Sequence, residues 1–284
     1  MSTTSAKALI LERFPFLTPK LQAAARFVVD HPNEAVTLSM RSLAEHARLQ
    51  PATLVRLAQQ LGFAGWAELK EAFIADLGLD SRRYAARARS LSGRARDASL
   101  VEEIFKAQRA NLEATEAAAA GSLRDAARLL RRARTVHIAA FRASYAVAYS
   151  LAYGYRLFRD SVALIDGHAG GVEMQTLAIQ PQDAVVVFGF VPYSRETIQV
   201  AEVARAAGAR LVAFSDSNAS PLALAADVSI VFSLESPSYF PSLCAAMAVC
   251  EALLEILVAE GDEQAARRLD TAEQRLIDSG AYVQ

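Results

Sequence analysis

The stretch Leu38–Lys70, LSMRSLAEHARLQPATLVRLAQQLGFAGWAELK, reads as two short amphipathic helices separated by a three-residue break, with a further helix beginning at its end. Ser39 is placed to cap the first, whose apolar positions are Met40, Leu43, Ala44 and Ala47. After the break at Arg48-Leu49-Gln50, the second helix carries Leu54, Leu57, Ala58 and Leu61 and stops at Gly62. Both follow the i, i+3, i+4, i+7 spacing of a half-buried helix. Two such helices joined by a tight turn form a helix-turn-helix, whose second helix enters the major groove of DNA. Helical phase then decides what can touch DNA. With the leucines inward, Ala52, Arg56, Gln59 and Gln60 point away, and Gln50 and Thr53 lie at the N-terminal end, where phosphates and base edges are met. Arginine matches guanine as a fork, glutamine matches adenine, and a threonine methyl meets thymine. Arg41 and Arg48 are expected on phosphates. The bland alternative is a helical bundle in which these are ordinary solvated positions.

Outward from this motif, Leu17, Leu21, Ala24, Ala25 and Val28 mark a helix ended by the His31-Pro32 step. Trp66, Leu69, Lys70, Phe73 and Leu77 mark another, with a stop at Gly78. Residues 1–80 balance eight Lys/Arg against eight Asp/Glu, whereas residues 81–99 hold six arginines against Asp97 alone. The chain's net charge of -1 therefore leaves an acidic remainder. Periodicity is lost across the Arg-rich segment, which reads as a basic linker over 80–99. A neutral helical domain beside a basic hinge and an acidic partner domain suits a DNA binder, although a solvated linker has the same composition. From Leu100 a helical pattern resumes and runs to Ala120.

From Arg134 the rhythm changes. Short β-branched runs at Thr135–Ala140, Ser161–Ile165, Ala184–Phe190, Arg210–Ser215 and Val228–Phe232 alternate with helical segments. Such alternation predicts a parallel sheet covered on both faces. The expected architecture is a helical bundle with a helix-turn-helix over 1–79, then an α/β three-layer sandwich with a five-stranded parallel sheet over 100–284. Ligands in such sheets bind beyond the carboxyl ends of the strands, at a topological switch point. The loops after Ala140, Ile165, Phe190 and Ser215 are therefore the places to look for chemistry. There, Asp216, Ser215 and Ser220 either contact a ligand or cap the next helix, and Gly167–Gly171 with His168 reads as a turn. His137 lies within the first strand and reads as structural.

Cys244 and Cys250 stand six residues apart in a helical pattern, a spacing that favours neither a disulfide nor a metal pair. They read as buried small apolar residues in a reducing, cytoplasmic setting. The N-terminus lacks an apolar signal core, and the most apolar run, Leu243–Ala259, carries Glu251 and Glu255, which points to a core helix rather than a membrane span. No metal and no cofactor is expected.

The residues quoted above resemble the helix-turn-helix of the RpiR family of bacterial sugar-catabolism regulators. The shared marks are Ser42-Leu43-Ala44 in the first helix, Thr53-x-x-Arg56 in the second, and Leu61-Gly62-Phe63 followed by Trp66 and Glu68-Leu69-Lys70. Where members often write Ser-x-x-Thr, this chain has Gln50-Pro51-Ala52-Thr53. Family members continue into a SIS (sugar isomerase) domain, so the resemblance implies operator DNA as one partner and a sugar phosphate or related anionic sugar as effector. It also implies a homodimer or tetramer, because paired reading heads match palindromic half-sites. An effector would change the spacing of those heads through the helix at Leu100–Ala120.

In typical SIS domains, phosphate is held by a Gly-x-Gly-x-Ser turn and a Ser-x-Ser-Gly-x-Thr loop followed by Glu. Here the first reads Ala140-Phe141-Arg142-Ala143-Ser144 and the second Gly189-Phe190-Val191-Pro192-Tyr193-Ser194-Arg195-Glu196-Thr197. Both cradles are altered. Arg142 and Arg195 are expected to supply positive charge directly, Ser144, Ser194 and Thr197 hydroxyls, and Phe141 and Tyr193 packing against the ligand. The alternatives are that both arginines form surface or dimer salt bridges, or that the domain only oligomerises and regulation is constitutive. A phosphosugar isomerase is the remaining rival. It needs a positioned base, and Glu173, Glu196, Glu235, Glu251 and His168 form no pair at an informative spacing.

Overall fold

The computed structural model describes residues 6–76, 82–94, 97–168, 171–218 and 220–281. Leu77 and the expected stop at Gly78, Arg96 of the basic segment and Ala169-Gly170 lie outside the described residues. The chain divides into two compact units, Met1–Arg83 and Tyr84–Gln284.

The first unit is helical: α1 (Ala6–Arg13), α2 (Pro19–Asp30), α3 (Pro32–Thr37), α4 (Met40–His46), α5 (Pro51–Gln60) and α6 (Trp66–Asp76). Its core takes Leu21, Ala24, Ala25 and Val28 from α2, Leu43 and Ala44 from α4, Leu54, Leu57 and Ala58 from α5, and Trp66, Leu69 and Phe73 from α6. These are the stripes that the spacing predicts. The helix α3, which the sequence reading passed over, begins at Pro32 directly after the end of α2. Proline cannot continue one helix, but its fixed φ suits the first turn of the next. Lys70 Nζ donates to the Leu38 carbonyl at 2.7 Å and so ties α6 to the segment entering α4.

Part of the basic segment is itself helical, as α7 (Arg82–Ser92). Alanine and arginine are good helix formers, and no glycine or proline interrupts the run before Gly93. Its ring contact is Tyr84, packed on Phe240 with centroids 5.6 Å apart. Arg94 then bridges Asp97 at 2.7 Å and Glu103 at 2.8 Å, joining the segment to α8 (Ser99–Arg132). The last runs well past Ala120. Gly121 does not stop it, because Leu123, Ala126, Ala127 and Leu130 continue the buried stripe.

The sheet strands are β1 (Val136–Ala139), β2 (Val162–Ile165), β3 (Ala184–Gly189), β4 (Arg210–Ser215) and β5 (Val228–Val231), all parallel in the order β2-β1-β3-β4-β5. Each coincides with an expected strand to within a residue at either end. Alternate residues face two different cores. Ile138, Val186, Phe188, Phe214 and Ile230 pack against α8, α9 (Tyr145–Arg156) and α13 (Cys244–Ala259). Val185, Val187, Leu211 and Ala213 pack against α10 (Gly171–Thr176), α11 (Arg195–Ala206) and α12 (Pro221–Ala225). The chain ends in α14 (Asp262–Asp278). One cysteine expectation needs correction: Cys250 is buried, its thiol pushed up by that burial, whereas Cys244 at the start of α13 is exposed. No described helix is long and apolar enough to cross a membrane.

Asp183, just before β3, organises the amino end of the sheet. Its carboxylate accepts from Arg134 Nε at 3.0 Å, Gln180 N at 2.9 Å and Thr135 N at 3.2 Å, and lies 3.2 Å from His137 Nε2. Burial alone would raise its pKa, but Arg134, the Gln180 N–H and His137 outweigh it and hold the group at about 2. A depressed carboxylate contributes stability that is complete above its ordinary value and is lost as pH falls through the folded one. Asp183→Asn is expected to cost roughly 1.5–3 kcal/mol at neutral pH. It should also flatten the loss of stability that urea titrations of the parent show between about pH 4 and pH 2.

Candidate functional site

Two surfaces gather the residues singled out by the sequence. On the first unit, Ser39 caps α4 by accepting from Ser42 N at 3.1 Å. The turn that follows is closed by Arg48, at φ 53°, with Leu49 N donating to Ala44 O at 2.7 Å and Arg48 N to Glu45 O at 3.0 Å. This is the Schellman arrangement, in which a left-handed residue, usually glycine, ends the helix. Gly62 repeats it after α5, at φ 94°. Pro51 opens α5, and the Gln50 side chain makes no capping bond. Arg41, Arg48, Gln50, Ala52, Arg56 and Gln60 are exposed, and Thr53 is half-buried. Among the described residues, none of the three arginines makes an ion pair. The face of α5 opposite Leu54, Leu57 and Ala58 thus presents guanidinium and amide groups to solvent.

The second surface lies at the switch point. The chain leaves β1 toward β2 on one side and returns to β3 on the other, so the loops after β1 and β3 open side by side. Between them is a cleft of about 310 Å³, whose lining includes Phe141, Arg142, Ser144, Thr197, Tyr84 and Phe240. Arg142 stands at φ 56°, a left-handed conformation uncommon for a residue with a Cβ. Its Nη2 donates to Glu196 Oε1 at 2.8 Å. Glu196, in the first turn of α11, is held below the ordinary carboxylate range, first by its own backbone N–H and then by Arg142. Ser194 caps α11 by accepting from Thr197 N at 3.1 Å, and its hydroxyl lies 2.7 Å from that of Thr197. Ser144 Oγ donates to Phe141 O at 3.0 Å.

Five of the seven expected effector residues, Phe141, Arg142, Ser144, Ser194 and Thr197, line this cleft. Tyr193 and Arg195 do not. The Tyr193 hydroxyl donates to Asp216 Oδ1 at 2.5 Å, and burial together with that carboxylate raises its pKa. Arg195 is exposed on α11. Asp216 also accepts from Val191 N at 3.2 Å, so it fixes the β3 loop, while Ser220 caps α12. His168 is exposed, 3.6 Å from Asp166. The sequence reading missed Tyr84, Phe240 and the Arg142–Glu196 pair; the one signal for Tyr84 is an aromatic residue standing alone in an arginine-rich run. Among the described residues no group of His, Cys, Asp or Glu is arranged to hold a metal.

Two substitutions test these local readings. Arg48→Gly should relieve the left-handed backbone and stabilise the first unit by roughly 1 kcal/mol, followed by urea unfolding through the fluorescence of Trp66, the single tryptophan. An unchanged midpoint would mean that the arginine side chain compensates its own backbone. At Gly189 a Cβ would lie 2.5 Å from Leu222 Cδ1, and Leu222 is fully buried. Gly189→Ser is therefore expected to destabilise by about 1–3 kcal/mol, read as a lower thermal midpoint of the second unit.

Residues 11–78 match the helix-turn-helix domain of the rpiR family, and residues 129–256 match the SIS domain. An HTH-type transcriptional regulator of Caldanaerobacter subterraneus subsp. tengcongensis, itself uncharacterised, is 25% identical over 241 residues, covering 83% of each chain. Among solved structures, the sugar isomerase domain of an RpiR transcription factor from Sphaerobacter thermophilus superposes with a TM-score of 0.59 at 22% identity. It covers 62% of this chain and 99% of its own. The NanR protein of Vibrio vulnificus, solved in complex with ManNAc-6P, gives a TM-score of 0.59 at 17% identity over 98% of this chain and 100% of its own. At these identities the two structures establish a shared fold. With an rpiR-type helix-turn-helix ahead of a SIS domain, in that order and together spanning most of its length, the chain belongs to the RpiR family.

Proposed function

We propose that this protein is a DNA-binding transcriptional regulator whose affinity for an operator is set by an anionic sugar, phosphorylated or not, bound at the switch-point cleft of its SIS domain. The observation that carries the reading is the α5 surface: Ala52, Arg56 and Gln60 exposed on one face with Gln50 exposed at its N-terminal end, and Leu54, Leu57 and Ala58 buried on the other face. A reading helix needs this division, because its apolar side fixes its angle while its polar side meets base edges. Arg41 and Arg48 flank it as phosphate contacts. The curated regulator similar over most of this chain, and the sugar phosphate held by the Vibrio NanR protein, support the two halves of the proposal.

The protein acts in this reading as a homodimer or tetramer, two α5 helices meeting half-sites one helical turn apart. An effector shifts DNA affinity only through its difference in affinity for two arrangements of the reading heads.

Selection from a random duplex pool, followed by fluorescence anisotropy on the enriched site, tests the DNA half. Arg56→Ala should weaken binding by about 1–3 kcal/mol and relax the preference at one base position. Arg41→Ala should weaken all sequences alike and reduce the slope of log K against log salt by about 1. Failure to enrich any duplex, or an Arg56→Ala protein that binds as tightly as its parent, would overturn the assignment.

A further inference from the structure

We infer that α7 is a second nucleic-acid contact of this chain, its exposed Arg87 and Arg89 binding the phosphate backbone of duplex DNA beyond the bases that α5 reads. The inference rests on the reading of α5 as a DNA-reading helix and deepens it by naming an element that holds the backbone.

Charge is unevenly shared along the chain. Affinity for DNA comes largely from neutralising phosphates, each contact releasing counterions. Residues 1–80, which contain the helix-turn-helix, balance eight Lys/Arg against eight Asp/Glu and so supply no net attraction. Residues 100–284 carry an acidic surplus, which repels a duplex. Of these three segments only 81–99 is positive, with six arginines against Asp97. A reading helix on a neutral unit, tethered to an acidic one, gains the attraction it lacks from this neighbour.

A loose basic linker would share that composition, but α7 is held at both ends. Tyr84 packs on Phe240, and just past the last turn Arg94 bridges Asp97 and Glu103. Tyr84 and Leu91, two turns apart on one side of the helix, are half-buried. Arg87, Ala88, Arg89 and Ser90, which lie between them in sequence, are exposed. A fixed helix presents its guanidinium groups at a lower ordering cost than a mobile tail. Five residues of chain separate Asp76, at the end of α6, from Arg82, a tether of about 20 Å at full extension. The chain itself thus limits how far α7 can stand from the helix-turn-helix.

These guanidinium groups are also unclaimed. Among the described residues neither Arg87 nor Arg89 makes an ion pair, although the second unit has carboxylates in surplus. Arg94, Arg131, Arg134 and Arg210 of the same unit each pair with one. A helix that lies on a membrane needs a large apolar face to insert. The large apolar residues of α7 are Tyr84 and Leu91, both half-buried, and Tyr84 is taken up by Phe240. A phosphodiester backbone asks for no such face; it offers oxygens to exposed guanidinium forks.

Fluorescence anisotropy of the full-length protein over a range of salt, with the selected duplex and an unrelated one, tests the inference. Arg87→Gln combined with Arg89→Gln should lower the slope of log K against log salt by about 2 on both duplexes. It should weaken each roughly 10- to 100-fold at about 0.1 M salt. Glutamine keeps the helix propensity of arginine, so the thermal midpoint should match the parent's. Lysine at both positions keeps the charge and should recover most of the affinity. Removing two charges from α8 instead, at exposed Arg124 and Arg132 (Arg124→Gln with Arg132→Gln), should leave the slope unchanged. An equal fall from the α8 pair reduces the effect to net charge and overturns the inference. A double α7 variant with the parent's slope and affinity overturns it too, and leaves α5 as the reading helix if Arg56→Ala still weakens binding. Loss on the selected duplex alone, at an unchanged slope, makes α7 a positioning element and equally overturns the inference. Loss of binding to phosphatidylserine vesicles, with DNA affinity intact, assigns the arginines to a membrane and not to DNA. A parent protein that binds neither duplex takes down both the inference and the reading on which it rests.

Discussion

A parallel strand buried on both faces cannot be paired by a hairpin; it must be reached by a crossover. This constraint organises the second unit. β3 is buried at every residue, and its neighbours β1 and β4 are reached only through helices. Five strands in the order β2-β1-β3-β4-β5 require one reversal of direction, and it falls between β1 and β3. The reversal separates the connecting loops, leaves a gap at the carboxyl ends, and brings residues 54 positions apart, Arg142 and Glu196, into contact. The opposite end of the sheet needs no such gap, and Asp183 closes it with backbone and side-chain donors.

Arginine is used in two ways in this molecule. Arg159 turns its guanidinium on the carbonyls of Leu130 and Ala133, at the C-terminal end of α8, where the helix dipole favours positive charge. Arg94 and Arg134 are likewise engaged by carboxylates. Each of these holds one element against another. Arg41, Arg48 and Arg56 are arranged differently: exposed, on and beside α5, without an ion pair among the described residues. Residue type alone does not separate the two uses; helical phase and the presence of a nearby acceptor do.

Much of the fold was legible because local period reports burial. The stripe of Leu54, Leu57 and Ala58 and the β-branched run of β3 carry their environment in their own spacing. The helix α7 was not legible, since it presents no apolar stripe and one of its few anchors, Phe240, lies far along the chain. The partners of Arg142 and Tyr193 escaped for the same reason: no local pattern encodes a contact that the crossover creates. Cys244 was misread because a position in an apolar helix does not reveal which side of the helix is covered. The loops themselves were found from topology, the one long-range property that strand alternation does disclose.

The close approach of Leu222 to Gly189 also couples the two positions. A side chain at position 189 and the leucine at 222 compete for one space, because the leucine methyl stands 2.5 Å from where a Cβ would lie. For position 189 to carry a side chain, the buried leucine has to turn aside or give way to a smaller residue. The two positions, 33 residues apart in sequence, therefore set limits on each other: what one side of the β3–α12 contact can carry depends on the size of the other.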